Sequence, residues 1–193
     1  MTDFLLALVG TALINNFVLQ WPLGADSVLH TPASVTRPQI HALGLATTLL
    51  MLVSSLLGQL LYLGVLQPWH LQSLQLMVWL PLVLLLIGPL LKLLARALPQ
   101  LPFAGLGPLL LGNAGTLGLL LMASRDALDM ATLCAMSLGA GLGFWLVLSL
   151  FGDLRQRISN NDVPLPWRGL PIDLISAGLL AVAFLGFNGL SKT

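Results

Sequence analysis

The sequence predicts an all-α protein that crosses a membrane several times. Of its 193 residues, 57% are hydrophobic and only 8% are charged, and the mean hydropathy is +0.95. Apolar runs of about twenty residues, each long enough to cross a hydrocarbon core of roughly 30 Å, recur with few charges between them. A soluble domain of this length needs a charged shell, so the composition excludes that class.

Hydropathy and helix-breaking residues divide the chain into six predicted transmembrane helices. These spans are residues 3–23, 40–66, 75–95, 102–123, 129–151 and 170–190. The connections between them are mostly short, and the two longer ones, 24–39 and 152–169, are too small to form separate domains. We therefore predict a single integral membrane domain over residues 1–193.

The distribution of Lys and Arg predicts the orientation of these spans. Six of the eight basic residues lie in or next to the connections after the first, third and fifth spans, and only Arg125 and Lys192 lie on the opposite side. Loops rich in Lys and Arg stay in the cytoplasm. We therefore expect a multi-pass protein of the bacterial inner membrane with both termini in the periplasm.

The six spans form two sets of three, which predicts one repeat over about residues 1–95 and a second over about 100–193. Three crossings reverse the direction of the chain, so the two repeats are expected to have inverted topology. Inverted repeats place their functional sites near the middle of the membrane. In each half, a span containing Gly and Asn precedes a span rich in small residues, which permits close helix packing.

Asparagines near the middle of the first and fourth spans predict a site inside the membrane. They are Asn15 and Asn16 in the first span and Asn113 in the fourth. Unpaired polar groups are costly in hydrocarbon, so we expect these amides to line a core that is buried in protein. Gly24, which follows Trp21-Pro22-Leu23, and glycines such as Gly112 and Gly115 predict that the first and fourth helices are interrupted.

Other polar residues give no pattern that is typical of a catalytic centre or a nucleic-acid site. The three histidines have scattered spacings, the single Cys134 cannot form an intramolecular disulfide, and the formal net charge of +1 gives no reason to expect nucleic acid. Asp129 and Asp173 lie at predicted helix starts, where a carboxylate complements the helix dipole. We therefore expect a chain that is not an enzyme by itself.

Separated segments also carry a resemblance to a known family. They are MTDFLLALVG with TALINNFVL at the start, GLATT at 44–48, GNAGTLG at 112–118, and DVPLPWRGLPIDLISAGLLAVAFLGFNGL at 162–190. The chain resembles, from end to end, the A-type subunits of Rnf (or Rsx) ion-translocating electron transport complexes, which are related to the D-type and E-type membrane subunits of Nqr. The resemblance implies a translocase component that couples ferredoxin- or NADH-linked electron transfer to ion movement.

The same resemblance implies partners and a cofactor. The partners are the other Rnf subunits, above all a paralogous E-type membrane subunit of inverted topology, with the D, G, B and C types, and membrane lipid. The cofactor is a [2Fe-2S] cluster at the midplane, to which each paralogue gives one cysteine from each half. This chain has Asp26 and Ala114 at those two positions. Because thiolates ligate such clusters, we expect the scaffold to be kept and a conventional cluster to be lost or altered.

Two other functions fit the same residues. An inverted-repeat scaffold could carry a small solute as a secondary transporter, with the asparagine amides as ligands. The chain could also be a structural or assembly component without a redox role, for example one that supports the reduction of a redox sensor.

Overall fold

The computed structural model describes residues 2–14, 16, 19, 36–125, 128–159 and 163–186. Within these ranges the regular structure is helical throughout and contains no strand, which confirms the all-α prediction. The helices are α1 (Thr2–Val9), α2 (Arg37–Leu61), α3 (Gln75–Ala97), α4 (Gly107–Leu111), α5 (Ala114–Arg125), α6 (Met130–Ser159) and α7 (Leu170–Leu185). The helix α1 continues as a π-helix, Gly10–Ile14, and α2 continues as another, Tyr62–Leu66.

Four helical stretches are long and apolar enough to cross a membrane. They are Arg37–Leu66, Gln72–Ala97, Gly107–Arg125 and Met130–Ile158, and they correspond to the predicted second to fifth spans. Two shorter apolar helices, Phe4–Ile14 and Leu170–Leu185, lie within the predicted first and sixth spans. These lengths and compositions are those of a polytopic membrane protein.

The fourth span is interrupted where the sequence predicts a break. α4 ends at Leu111 and α5 begins at Ala114, so Gly112 and Asn113 separate two helical segments. The first span also departs from regular α-helix, because it passes into a π-helix at Gly10 and Asn16 is not helical. π-Helical turns often accompany functional sites.

The centre of the molecule is the antiparallel pair α2 and α6. Their register is fixed by close approaches between Gly44 and Trp145 and between Thr48 and Gly141. α1 packs on α6, and α5 packs on α2. The outer helices show a similar correspondence. α3 contacts α2 and α4, and α7 contacts α6 and the π-helix after α1.

An offset of 97 residues relates buried positions in the two halves. α3 buries Trp79, Val83, Ile87 and Leu94, and α7 buries Ser176, Leu180 and Phe184. Adding 97 to the first three numbers of α3 gives the three numbers of α7. The same offset takes Asn16 to Asn113 and Gly44 to Gly141. The same numbering offset thus recurs at several buried positions, and the division into repeats at about 1–95 and 100–193 stays a prediction.

Candidate functional site at the helix breaks

Three of the five predicted site residues lie in the part of the chain that the structure describes. Asn16, Asn113 and Ala114 are described, whereas Asn15 and Asp26 lie outside the described residues. The geometry of the candidate site is therefore built from the first three positions and their neighbours.

Asn16 is buried directly after the π-helix of the first span. Its side chain is 1% exposed, and Nδ2 donates a hydrogen bond to the carbonyl oxygen of Ala12 at 2.8 Å. A Cβ atom at Gly143 of α6 would lie only 2.8 Å from Asn16 Nδ2 and 2.7 Å from the Ala12 oxygen. Because position 143 is glycine, the end of the first span can approach α6 this closely.

Asn113 forms the N-cap of α5. Its Oδ1 accepts a hydrogen bond from the backbone N–H of Gly115 at 3.0 Å, which is the geometry expected of an asparagine at this position. The side chain is buried, and its Nδ2 has no hydrogen-bond partner among the described residues. Thr116 lies one turn further along, and its buried hydroxyl also has no partner in the described part of the chain.

The two asparagines lie at different helix interfaces. Asn16 lies against α6, and Asn113 begins the helix that packs on α2. Each break is thus held by the long central helix of the opposite half. Both side chains are buried in the protein, and their place in a midplane core stays a prediction.

The donor groups of this chain do not fit the [2Fe-2S] cluster implied by the resemblance. Ala114 has only a methyl group, and the single Cys134 lies on α6, half-buried and outside any disulfide. Within the described ranges no group of three or more His, Cys, Asp or Glu side chains is arranged to hold a metal ion. A cluster that takes two thiolates from this chain is therefore incompatible with its residues.

Two buried polar residues of α2 and α3 were not predicted as site candidates from the sequence. The Gln59 side chain is 4% exposed, and its Nε2 donates to the carbonyl oxygen of Leu128 at 3.3 Å. Trp79 is fully buried, as its depth in the third span suggests, but its Nε1 has no partner among the residues described. Gln59 could have been noticed in the sequence, because it is an amide within a long apolar run.

Near the C-terminal end of α6, Arg155 forms a largely buried ion pair with Asp173. Arg155 Nε and Nη2 donate to the two carboxylate oxygens of Asp173 at 2.9 and 2.5 Å, and each side chain is 15% exposed. The guanidinium also lies 4.8 Å from the centre of the Phe151 ring. Asp173 does lie in the first turn of α7, as predicted, but it also joins α7 to α6.

Asp129 precedes α6 and caps its first turn. Its Oδ2 accepts the backbone N–H of Thr132 at 3.3 Å. Hydrogen bonds from the Thr132 side chain, and then from the Thr132 backbone, hold the pKa of Asp129 below its usual value. The carboxylate therefore has the helix-start role that the sequence predicts.

Comparison with known proteins agrees with the fold and with the resemblance. The family model described as "Rnf-Nqr subunit, membrane protein" matches residues 4–191. Proteins named as the A-type component of an ion-translocating oxidoreductase complex are similar over the whole chain: 34% identical in Vibrio vulnificus (strain YJ016) and 37% in Actinobacillus pleuropneumoniae serotype 5b (strain L20), with 100% of each chain covered. The protein of that name from Syntrophotalea carbinolica is 36% identical over 98% of both chains. The chain belongs to the Rnf-Nqr subunit family of membrane proteins.

Proposed function

We propose that this chain is the A-type membrane subunit of an Rnf-type complex that couples ferredoxin- or NADH-linked electron transfer to ion translocation. The observation that carries this proposal is the similarity to proteins named as that component, at 34–37% identity over the full length of the chain. The proposed location is the bacterial inner membrane, with both termini in the periplasm, as the distribution of Lys and Arg predicts.

The chain's part in such a complex is to build the intramembrane core. Its proposed principal partner is the paralogous E-type subunit of inverted topology, and the D, G, B and C types complete the assembly. Helix breaks are tolerated at membrane depth where the irregular backbone is buried in protein or lines a cavity. The breaks at Asn16 and Asn113 are of this kind, and we assign Asn15 to the same core.

The electron route of this complex is proposed to differ from the one that the family resemblance implies. The described donor set does not fit a conventional cluster, because position 114 is alanine. We therefore assign this chain a scaffold role beside the electron path, without thiolate ligands at positions 26 and 114.

A purification through an affinity tag on this chain tests its membership of the complex. Membranes are solubilised in mild detergent, and the co-purifying proteins are identified by mass spectrometry. Recovery of a second six-span subunit together with flavin- or iron-containing partners is the expected result. A stable homodimer that moves a small solute without partners would overturn the proposal in favour of a secondary transporter.

The electron route has its own measurement on the same sample. Iron content and electron paramagnetic resonance of the reduced complex are compared with a preparation from a strain that lacks this chain. We expect no intramembrane [2Fe-2S] signal that depends on the chain. The double variant Asp26→Cys with Ala114→Cys is the matched control, because it returns thiols to both family positions. A chain-dependent signal in the unsubstituted complex would contradict the variant route while leaving membership of the complex intact.

A further inference from the structure

Four buried polar atoms without a hydrogen-bond partner among the described residues lie on α2, α3 and α5 and at the break before α5. They are Gln59 Oε1, Trp79 Nε1, Asn113 Nδ2 and Thr116 Oγ1. Their side chains are between 0% and 4% exposed. Most buried side-chain polar atoms in folded proteins are paired, so four unpaired atoms on one set of neighbouring helices need a physical explanation.

These helices meet at Gly58, which lets their side chains approach closely. A Cβ atom at Gly58 would overlap the Leu120 side chain of α5 and lie 3.7 Å from Trp79 Nε1 of α3. Gln59 is the next residue of α2, and it reaches the Leu128 carbonyl beyond the end of α5. We call this contact of α5 with α2 and α3 the α2–α3–α5 interface.

The unpaired atoms extend along this interface toward the break in the fourth span. From Leu120, which lies at the level of Trp79, one turn back along α5 leads to Thr116, and one further turn leads to Asn113. At the opposite end, Ser124 Oγ donates to Gln75 Oε1 at 3.3 Å. Polar groups thus extend from the end of α5 near Leu128 to the helix break.

Two of the four equivalent positions, Asn16 on the first span and Ser176 on α7, are paired. The offset of 97 residues relates Asn113 to Asn16, whose Nδ2 donates to the Ala12 oxygen at 2.8 Å. It relates Trp79 to Ser176, whose hydroxyl donates to the carbonyl oxygen of Ile172 at 2.7 Å. The interface of the first span with α6 and α7 thus resembles the α2–α3–α5 interface in its helix contacts, but its buried polar groups at these two positions are paired.

We propose that the α2–α3–α5 interface is a gate that opens to water from the end of α5 near Leu128, the predicted periplasmic side. Separation of α5 from α2 and α3 brings water to the four unpaired atoms and hydrates the break at Asn113. The closed interface leaves these atoms desolvated and unpaired, which raises its free energy relative to the open one. At the equivalent interface of the first span with α6 and α7, Asn16 Nδ2 and the Ser176 hydroxyl are paired, so these two groups give no such incentive to open.

The gate deepens the proposed ion translocation but is argued from the unpaired atoms of this chain. Water enters when the gate opens, and the open gate gives a translocated ion access to the break from one side. A failure to recover partner subunits would refute the proposed function without changing any labelling rate. A closed interface would refute the gate without changing the membership of the complex.

Cysteine accessibility in native membranes tests the gate. In a Cys134→Ala background, Thr116→Cys is compared with Ser137→Cys on α6, because Ser137 is equally buried but its hydroxyl donates to the Leu133 oxygen at 2.7 Å. A membrane-impermeant cationic thiol reagent is applied to right-side-out and to inside-out vesicles. We expect Thr116→Cys to react at least about tenfold faster than Ser137→Cys, and only from the outer side, because local opening admits the reagent. Equal rates at the two positions, or reaction of Thr116→Cys only from the inner side, would overturn the proposal.

A second pair of variants does not depend on labelling. Thr116→Val replaces an unpaired hydroxyl by a methyl group of similar size, whereas Thr47→Val on α2 removes a buried hydroxyl that donates to the Leu43 oxygen at 2.8 Å. We expect Thr116→Val to raise the thermal midpoint of the full chain in detergent and to slow labelling of Asn113→Cys in the same background. Thr47→Val should do neither. A midpoint that falls equally in both variants would show that the Thr116 hydroxyl is paired when the interface is closed.

Discussion

Replacing Gly141 by alanine tests the contact between α2 and α6 at its tightest point. The added Cβ would lie 2.5 Å from Thr48 Cα and 2.8 Å from Thr48 Cβ. Carbon atoms in contact are about 3.5–4.0 Å apart, so the two helices must separate by about 1 Å. Overpacking a core costs about 1–3 kcal/mol. Because the obstacle includes a backbone atom that no rotamer change can move, we expect the upper end of that range.

The assay is thermal unfolding of a fluorescent fusion protein in mild detergent, followed by size-exclusion chromatography. For a chain of this size, about 3 kcal/mol corresponds to a fall in Tm of roughly 6–12 °C. The control is Gly178→Ala on α7, where an added Cβ meets nothing within 4 Å and Tm should not fall. Gly141→Leu should abolish most of the folded yield. A Tm for Gly141→Ala equal to that of the control would refute the packing described for α2 and α6.

Two further predictions concern charged groups at the helix ends. Arg155→Ala leaves the largely buried Asp173 without its partner and should cost about 3 kcal/mol in the same unfolding assay, the lower end of the range for buried pairs because each side chain keeps some exposure. Arg37→Ala breaks the exposed pair of Arg37 with Asp153 and should cost about 0–1 kcal/mol. Equal losses would contradict the burial of the first pair. Thr132→Ala should raise the pKa of Asp129 toward its usual value, observed by carbon NMR of the carboxyl group, and an unchanged pKa would show that the hydroxyl does not contact it. Since the folded-state pKa is lowered, the stability that this cap contributes is present above the unfolded pKa and is lost as pH falls through the folded value.

The membrane class and most spans could be predicted because the bilayer imposes an apolar length that composition reveals directly. The predicted second to fifth spans correspond to the four long helices, and the largest difference is in the fifth, which is predicted to end at residue 151 and ends at Ile158. The predicted first span, 3–23, is described only in part: its helix runs to Ile14 and Asn16 is not helical, whereas most of 17–23 lies outside the described residues. Hydropathy averages over a window and does not distinguish a continuous helix from a broken one.

The candidate site was predictable in part. Asn16 and Asn113 could be recognised by their depth in apolar spans, where a buried amide is costly. The lack of a partner for Asn113 Nδ2 could not be predicted from the sequence. Pairing depends on which side chains of α2 face α5, and the sequence of one span alone does not determine how the two helices are aligned. The same applies to Asp173, whose partner Arg155 lies 18 residues earlier, across a connection that contains other basic residues.

The offset of 97 residues allows the two faces of the molecule, one on each side of the membrane, to be compared. Two identical inverted halves would make a molecule that looks the same from both faces of the membrane, so its two resting arrangements would have equal energy. Here the amide of Asn16 is bonded, and the amide nitrogen of the equivalent Asn113 has no partner among the described residues. This inequality makes one face of the molecule energetically distinct from the other. The structure of the chain itself therefore distinguishes the two sides of the membrane, without a contribution from a partner protein or a membrane potential.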